Sequence, residues 1–209
     1  MTKQANTWAG KFGDEYVLRN TYNIHELEEF FQKLLGVSRS EMFLDFIGNI
    51  SREAKILEVG CNIGNQLLML QSLGFTNLTG IEINPNALKT AKERIPKATL
   101  VQGSATQMPF QDNEFDLVFT SGVLIHIAEE DLKKAVKEIH RCAKTYILGY
   151  EYFAPQRLEV TYRGNEDMLW KEDFAARYLT SFPDLSMVKE KKYKYLENEN
   201  IDQMFLLSK

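Results

Sequence analysis

The stretch KILEVGCNIGN, Lys55–Asn65, decides how the chain folds. Ile56, Leu57 and Val59 form a short apolar run with one acid, Glu58, inside it, and the run ends at Gly60. Gly64 then precedes Leu67, Leu68, Leu70 and Leu73, whose spacing predicts a helix. Strand, glycine turn and helix in succession bring bare backbone N–H groups and a helix N-terminus up to a bound ligand.

Downstream the pattern keeps alternating. Strands are expected at Ile56–Val59, Leu78–Glu82, Thr99–Gln102, Phe115–Thr120 and Tyr146–Tyr150, with helices at Asn65–Leu73, Pro85–Ile95 and Glu130–Cys142 between them. Asn84-Pro85 is a helix start, a capping side chain followed by proline at the first helical position. Strands separated by helices imply βαβ units and a mainly parallel, doubly wound α/β sheet.

Upstream, Asn23 caps a helix running to Leu35, with Glu26 as the reciprocal acid and Gly36 as the stop. A second helix fits Ser40–Ile50. Before both lies FGDEYVLRN, Phe12–Asn20, too aromatic and too mixed in charge for a simple tail. Beyond Tyr152 come an irregular stretch, a helix near Lys171–Ser181, and two β-type runs, Leu185–Leu196 and Ile201–Leu207. Their proximity suggests an antiparallel hairpin closing one edge of the sheet. The lysines of KEKKYKY, Lys189–Tyr195, read as protection of an exposed strand.

Composition narrows the function classes. The 209 residues suit one domain, and 25 Lys+Arg against 29 Asp+Glu give a net charge of −4. That balance lacks the basic footprint of a nucleic-acid binder. No run approaches the ~20 apolar residues of a membrane helix, and the polar N-terminus has no signal-peptide core. Two cysteines, Cys61 and Cys142, form no disulfide framework and no metal spacing, so a reduced, cytoplasmic setting is expected.

Three details narrow the ligand among the dinucleotides, nucleotides and S-adenosylmethionine that such turns hold. Asn62 stands where a dinucleotide fingerprint has its second glycine; asparagine tolerates a left-handed backbone, but its Cβ impedes a pyrophosphate, which S-adenosylmethionine lacks. Glu82 ends the next strand about 20 residues beyond Gly60, the spacing of an acid that accepts ribose hydroxyls. Gly103-Ser104-Ala105 makes a small turn after the third strand with room for a flat base, and Ser121-Gly122 opens the loop after the fourth.

Taken together, FGDEYVLRN, EVGCNIGNQ, GIEIN, GVLIHI and YRGNEDMLWKEDFA make the chain resemble the class I S-adenosylmethionine-dependent methyltransferases. More narrowly it is similar to the methylases associated with pseudaminic acid biosynthesis. The resemblance implies a Rossmann-like, seven-stranded sheet with an antiparallel C-terminal strand. It implies one methyltransferase domain over 1–209, with a helical cap at 1–52, a core at 53–209 and a substrate loop about 153–170. The implied reaction is methyl transfer from S-adenosylmethionine, leaving S-adenosylhomocysteine, to a small sugar-derived acceptor.

On that reading Glu58, Gly60, Cys61, Asn62, Gly64 and Asn65 form the cofactor turn. Glu82 and Ile83 meet the ribose and adenine, and Ser104 and Ala105 flank the adenine. Ser121, Gly122 and Val123 border the methionine portion. FGDEYVLRN folds over as a lid, with Tyr16 towards the sulfonium and Arg19 towards the carboxylate, or else both pack the N-terminal helix. His126 is the candidate base, against the reading of a core histidine that fixes a loop. Arg157, Tyr162, Arg163 and Glu166 are candidate acceptor contacts, against a salt-bridged surface loop. A nicotinamide-dependent oxidoreductase and a non-catalytic cofactor-binding protein are the competing classes.

Overall fold

The computed structural model describes residues 2–209. Four helices precede the first strand: α1 (Lys3–Ala9), α2 (Lys11–Arg19), α3 (Ile24–Leu35) and α4 (Arg39–Ile47). Asn23 with Glu26, and Ser38 with Glu41, form capping boxes at the starts of α3 and α4. The Ser38 cap starts the second of these helices one residue earlier than the sequence expectation, and it stops at Ile47 rather than Ile50.

The alternating section follows as β1 (Lys55–Val59), α5 (Asn65–Ser72), β2 (Asn77–Glu82), α6 (Pro85–Arg94), β3 (Thr99–Gln102), β4 (Phe115–Ser121), a 3₁₀ turn at Leu124–His126, α7 (Glu129–Cys142) and β5 (Ala143–Tyr152). The stretch after Tyr152 is less irregular than its sequence suggests, because β6 (Leu158–Glu159) pairs with β7 (Trp170–Lys171). That pairing takes Lys171 out of the expected helix. Helix α8 (Phe174–Ser181) begins only after Asp173, whose side chain accepts the Ala176 N–H. The chain ends in β8 (Ser186–Lys194) and β9 (Ile201–Ser208).

The seven-stranded sheet has the order β3-β2-β1-β4-β5-β9-β8. The first five strands are mutually parallel, and β9 runs antiparallel to both β5 and β8. The terminal hairpin does close one side, with its second strand inserted between β5 and the edge strand β8. Reversal of β9 matters for the site, since it brings the start of that strand to the edge where β1 to β5 end.

Alternation along each strand feeds two separate cores. Ile56 packs under α3, α4 and α5, whereas Leu57 and Val59 pack against α7 and α8 on the other face. Likewise Tyr150, Met204 and Leu206 face the first core, and Ile147, Phe205 and Leu207 the second. Gly149 leaves room for the Phe205 ring, since a Cβ there would lie 2.1 Å from its Cζ. Gly149→Ala is therefore expected to destabilise the fold by about 1–3 kcal/mol through overpacking, measured as a fall in the urea midpoint with an unchanged m-value.

Candidate functional site

A cavity of about 470 Å³ opens at the carboxyl ends of the parallel strands, where ligands of open α/β sheets bind. Its floor is the turn after β1. Gly60 sits at φ 71°, and a Cβ there would lie 2.7 Å from Val123 Cγ2, so the turn fits under the loop after β4 only as glycine. The Gly60 and Cys61 N–H groups donate to the Ile81 carbonyl at 2.8 and 3.1 Å, tying the turn to β2. Asn62 adopts φ 48°, the left-handed backbone its side chain tolerates.

Two buried acids shape this floor. Glu82 accepts the Asn62 N–H through Oε2 and the Asn84 N–H through Oε1, both at 2.8 Å, together with the Ile83 N–H. Burial raises its pKa in spite of these bonds. Glu58 is also buried beside the cavity, and its Oε2 has no hydrogen-bond partner among the described residues. An orphaned buried carboxyl oxygen marks a place for a ligand donor.

Helices α1 and α2 roof the cavity. Trp8, Gly13, Tyr16 and Asn20 line it, and the latch is Asn84. Its Oδ1 caps α6 by accepting the Asn86 and Ala87 N–H groups. Its Nδ2 donates to the Trp8 carbonyl at 3.1 Å and to Asp14 Oδ1 at 3.0 Å. Gly13 makes that approach feasible, since a Cβ would stand 2.0 Å from the Trp8 carbonyl oxygen. Behind the roof Arg94 donates to Asn65 Oδ1 at 2.7 Å and to the carbonyls of Ile63 and Tyr22, so α6 also fixes the connection into α3.

Of the cofactor-side residues expected from sequence, Glu58, Gly60, Cys61, Asn62, Asn65, Glu82, Ile83, Ser104, Ala105, Ser121, Gly122, Val123 and Tyr16 all border this one cavity. Two do not. Gly64 faces away, towards Ile95, and serves as the left-handed N-cap of α5. Arg19 is exposed at the end of α2 and off the cavity, because the helix turns its charged face outward.

Of the residues expected from sequence on the acceptor side, His126 lies in the cavity wall against Trp8 and Tyr162, with ring centroids 4.5 and 5.1 Å away. Its Nδ1 is 2.7 Å from the Met168 carbonyl. A carbonyl only accepts, so Nδ1 carries the proton and Nε2 keeps its lone pair. Burial lowers the His126 pKa to about 4, so the ring is neutral near pH 7. Tyr162 and Arg163 also line the cavity, Arg163 at φ 52°.

Arg157 and Glu166 are corrected by the structure. Arg157 donates to Glu172 Oε2 at 2.8 Å and to the Ile127 carbonyl at 3.1 Å. With its charge already paired there, it holds the loop rather than a ligand. Glu166 is exposed on the outer face of the same loop, away from the main cavity.

Sequence reading also missed a cluster. Asp202, at the start of β9, is 1 % exposed yet borders the cavity with Tyr150, Tyr152 and Tyr195. It accepts hydrogen bonds from the Tyr150 hydroxyl and, at 3.2 Å, from the Tyr195 hydroxyl. Burial pushes its carboxyl up to about 6. The available signal was an acid in register with Met204 and Leu206 on an apolar strand face.

Glu151, fully buried, accepts the Val123 and Ile125 N–H groups at 3.2 and 3.4 Å and so holds the loop that presents His126. Burial raises its pKa from 4.5 to about 7. Between those two values the native state keeps a proton that the unfolded chain has lost. The contribution of Glu151 to stability therefore falls as pH rises through that window and is constant above it. Unfolding free energies measured at pH 5 and pH 8 should show a smaller decline for Glu151→Leu than for the wild type.

Comparison with known proteins bears on this geometry. Residues 57–146 match a methyltransferase domain. An uncharacterized methyltransferase of Synechocystis is 38% identical over 95 residues, 46% of this chain and 44% of that protein. The demethylmenaquinone methyltransferase of Chlorobaculum tepidum is 31% identical over 93 residues, 44% of this chain and 38% of that one. The chain thus spans less than half the length of these curated relatives. Among solved structures, magnesium protoporphyrin IX methyltransferase from Synechocystis with bound S-adenosylhomocysteine aligns with a TM-score of 0.72 at 13% identity, over 98% of this chain and 97% of that one. The architecture is a Rossmann-like α/β fold. The methyltransferase match ends at residue 146, so α1 to α4, Tyr150, Tyr162, Arg163 and Asp202 all lie outside it.

Proposed function

We propose that this chain is an S-adenosylmethionine-dependent methyltransferase acting on a small polar acceptor derived from a sugar. The observation that carries the cofactor is the set of groups around the β1 turn. Glu82 stands on three backbone N–H groups at the ribose position, the small turn at Ser104 and Ala105 borders the base region, and Glu58 presents an unpartnered oxygen at the amino-acid end. Bound there, S-adenosylmethionine supplies a sulfonium-activated methyl group.

The protein's own contribution is alignment and exclusion of water. Holding two reactants in an attack geometry accounts for up to ~7–11 kcal/mol of barrier lowering. Roof helices α1 and α2 close one side of the cavity, while Tyr162 and Arg163 close another. His126 is the candidate base for an acceptor hydroxyl or amine, with Met168 fixing the tautomer that leaves the lone pair on Nε2. Aromatic walls, the Asp202 carboxylate and the Arg163 guanidinium suit a hydroxylated acceptor that carries an acidic group.

The names of the relatives span quinone, sterol and porphyrin substrates. Their variety is consistent with a shared cofactor half and acceptor walls built from the unmatched segments. The resemblance of FGDEYVLRN and YRGNEDMLWKEDFA to pseudaminic-acid-associated methylases supports the nonulosonic-acid class. Incubation with methyl-labelled S-adenosylmethionine and a panel of nucleotide sugars and nonulosonic acids tests this, read as a mass gain of one methyl group. Label transfer to a quinone or sterol and to no sugar derivative would overturn the acceptor class.

A further inference from the structure

The part of the cavity beside β5 and β9 is walled by aromatic rings around one buried acid. Tyr150 and Tyr152 end β5, Tyr195 follows β8, and Tyr22 and Phe30 line it from the entry to α3 and from α3 itself. Asp202, directly opposite Tyr152 in the β5–β9 register, is the acid. It stands three strands, about 14 Å, across the sheet from β1. That is beyond the βα turns assigned above to the cofactor.

The hydroxyl protons of this wall are all committed. Tyr150 donates to Asp202 Oδ2, and Tyr195 donates to the same carboxylate at 3.2 Å. Tyr152 bonds in turn to the Tyr195 hydroxyl. A tyrosine has one O–H and an ionised carboxylate only accepts, so each proton points towards Asp202 and the hydroxyls keep only lone pairs for a ligand. Burial raises the Asp202 carboxyl to about 6, while the tyrosine bonds and the nearby Arg39 charge oppose the rise, so it is ionised at pH 7. No cation pairs with it directly. Arg39, buried 4.4 Å from the Tyr150 ring centre, gives its N–H groups to Gln66, Ser121 and Met42. Lys171 donates to Asn200 and does not border the cavity. Among the described residues Arg163 is the only cation in the cavity wall, against the carboxyl groups of Glu58, Glu82, Asp131 and Asp202.

A wall that offers acceptors, ring faces and a negative charge, but no donor, selects a group that donates and does not accept. An ammonium has three N–H donors and no acceptor, and ring faces attract it. A hydroxyl or an acetamide brings an acceptor oxygen that finds no donor here. We propose that Asp202, acting through the Tyr150 and Tyr195 hydroxyls, is the positioning residue of a subsite for a protonated amine on the acceptor. The inference rests on the methyltransferase reading for calling that ligand an acceptor. An ammonium held there has no lone pair, so it anchors the acceptor while a different atom takes the methyl group. The acceptor class is accordingly an amino sugar with its amine free rather than acetylated.

Saturation-transfer NMR titrations of the S-adenosylhomocysteine-saturated protein test this with two matched pairs, glucosamine against N-acetylglucosamine and galactosamine against N-acetylgalactosamine. In at least one pair the amine should bind about 30-fold more tightly than the acetamide. Asp202→Asn keeps an acceptor oxygen for the tyrosines but not the charge. It should cut the preference to about threefold or less, with S-adenosylhomocysteine and the acetamide bound within about twofold of wild type. Tyr195→Phe, at a half-buried position, should reduce the preference about fivefold even if Asp202→Asn fails to fold. A merely structural role for Asp202 would weaken both members of a pair alike. Absence of amine preference or of binding in both pairs overturns the subsite. So does a preference retained by folded Asp202→Asn, or by Tyr195→Phe where Asp202→Asn does not fold. A protein that fails to bind S-adenosylhomocysteine overturns the cofactor reading instead, and the same titrations without it still decide the amine preference.

Discussion

Glu82→Gln is expected to reduce S-adenosylhomocysteine affinity by about 100-fold, the largest effect of any single isosteric change in this protein. The carboxylate receives the Asn62 N–H on one oxygen and the Asn84 N–H on the other. A carboxamide has only one oxygen, so its NH₂ must face one of those N–H donors. Either the β1 turn or the N-terminus of α6 loses its partner, and the group proposed to accept the ribose hydroxyls loses its charge at the same time. Stability should fall by about 1–3 kcal/mol, read from denaturant titration, with the affinity loss measured by calorimetry. Retention of wild-type affinity would show that Glu82 does not face the ligand.

Gly13→Ala should release the roof. A methyl group there meets the Trp8 carbonyl oxygen at 2.0 Å and Asn84 Nδ2 at 2.7 Å, so α1 and α2 cannot keep their present approach to α6. These helices contribute little to the core, since α1 has no fully buried residue and α2 has only Gly13 itself. The expected signature is accordingly split. Melting stays near the wild type, amide exchange over residues 3–19 accelerates, and S-adenosylhomocysteine dissociates about tenfold faster or more. Asp14→Ala, which removes the bonds to Asn84 and Asn86 without a clash, should produce a smaller change in the same direction. Global unfolding by Gly13→Ala would instead make the roof part of the folding core.

The acceptor side reads differently from the cofactor side. His126 is neutral and poised through its tautomer, Asp202 is wrapped in tyrosine hydroxyls, and Arg163 stands in a left-handed turn. These groups come from three separate parts of the chain, two of them beyond the matched methyltransferase segment. On the proposed function, that separation gives a physical reason why one cofactor fold can serve many acceptors: the donor cradle is built from parallel βα turns, and the acceptor walls from whatever covers them.

Local chemistry made much of this legible in the sequence. Alternating apolar strands, the Asn84-Pro85 cap and the Gly60 and Asn62 turn specify themselves through backbone preference and hydrophobic period. The expected cofactor residues of the turns after β1 to β4 follow from them, because those turns lie at the carboxyl ends of the strands. What tertiary structure alone decided was which charges meet. Arg19 turned outward and Arg157 was claimed by Glu172, while Arg39 and Asp202 were drawn inside by apolar neighbours on their own helix and strand faces. Local sequence fixes the face on which a side chain lies, but the groups it bonds to come from other elements, and only packing of α4 on the sheet and reversal of β9 beside β5 bring them within reach.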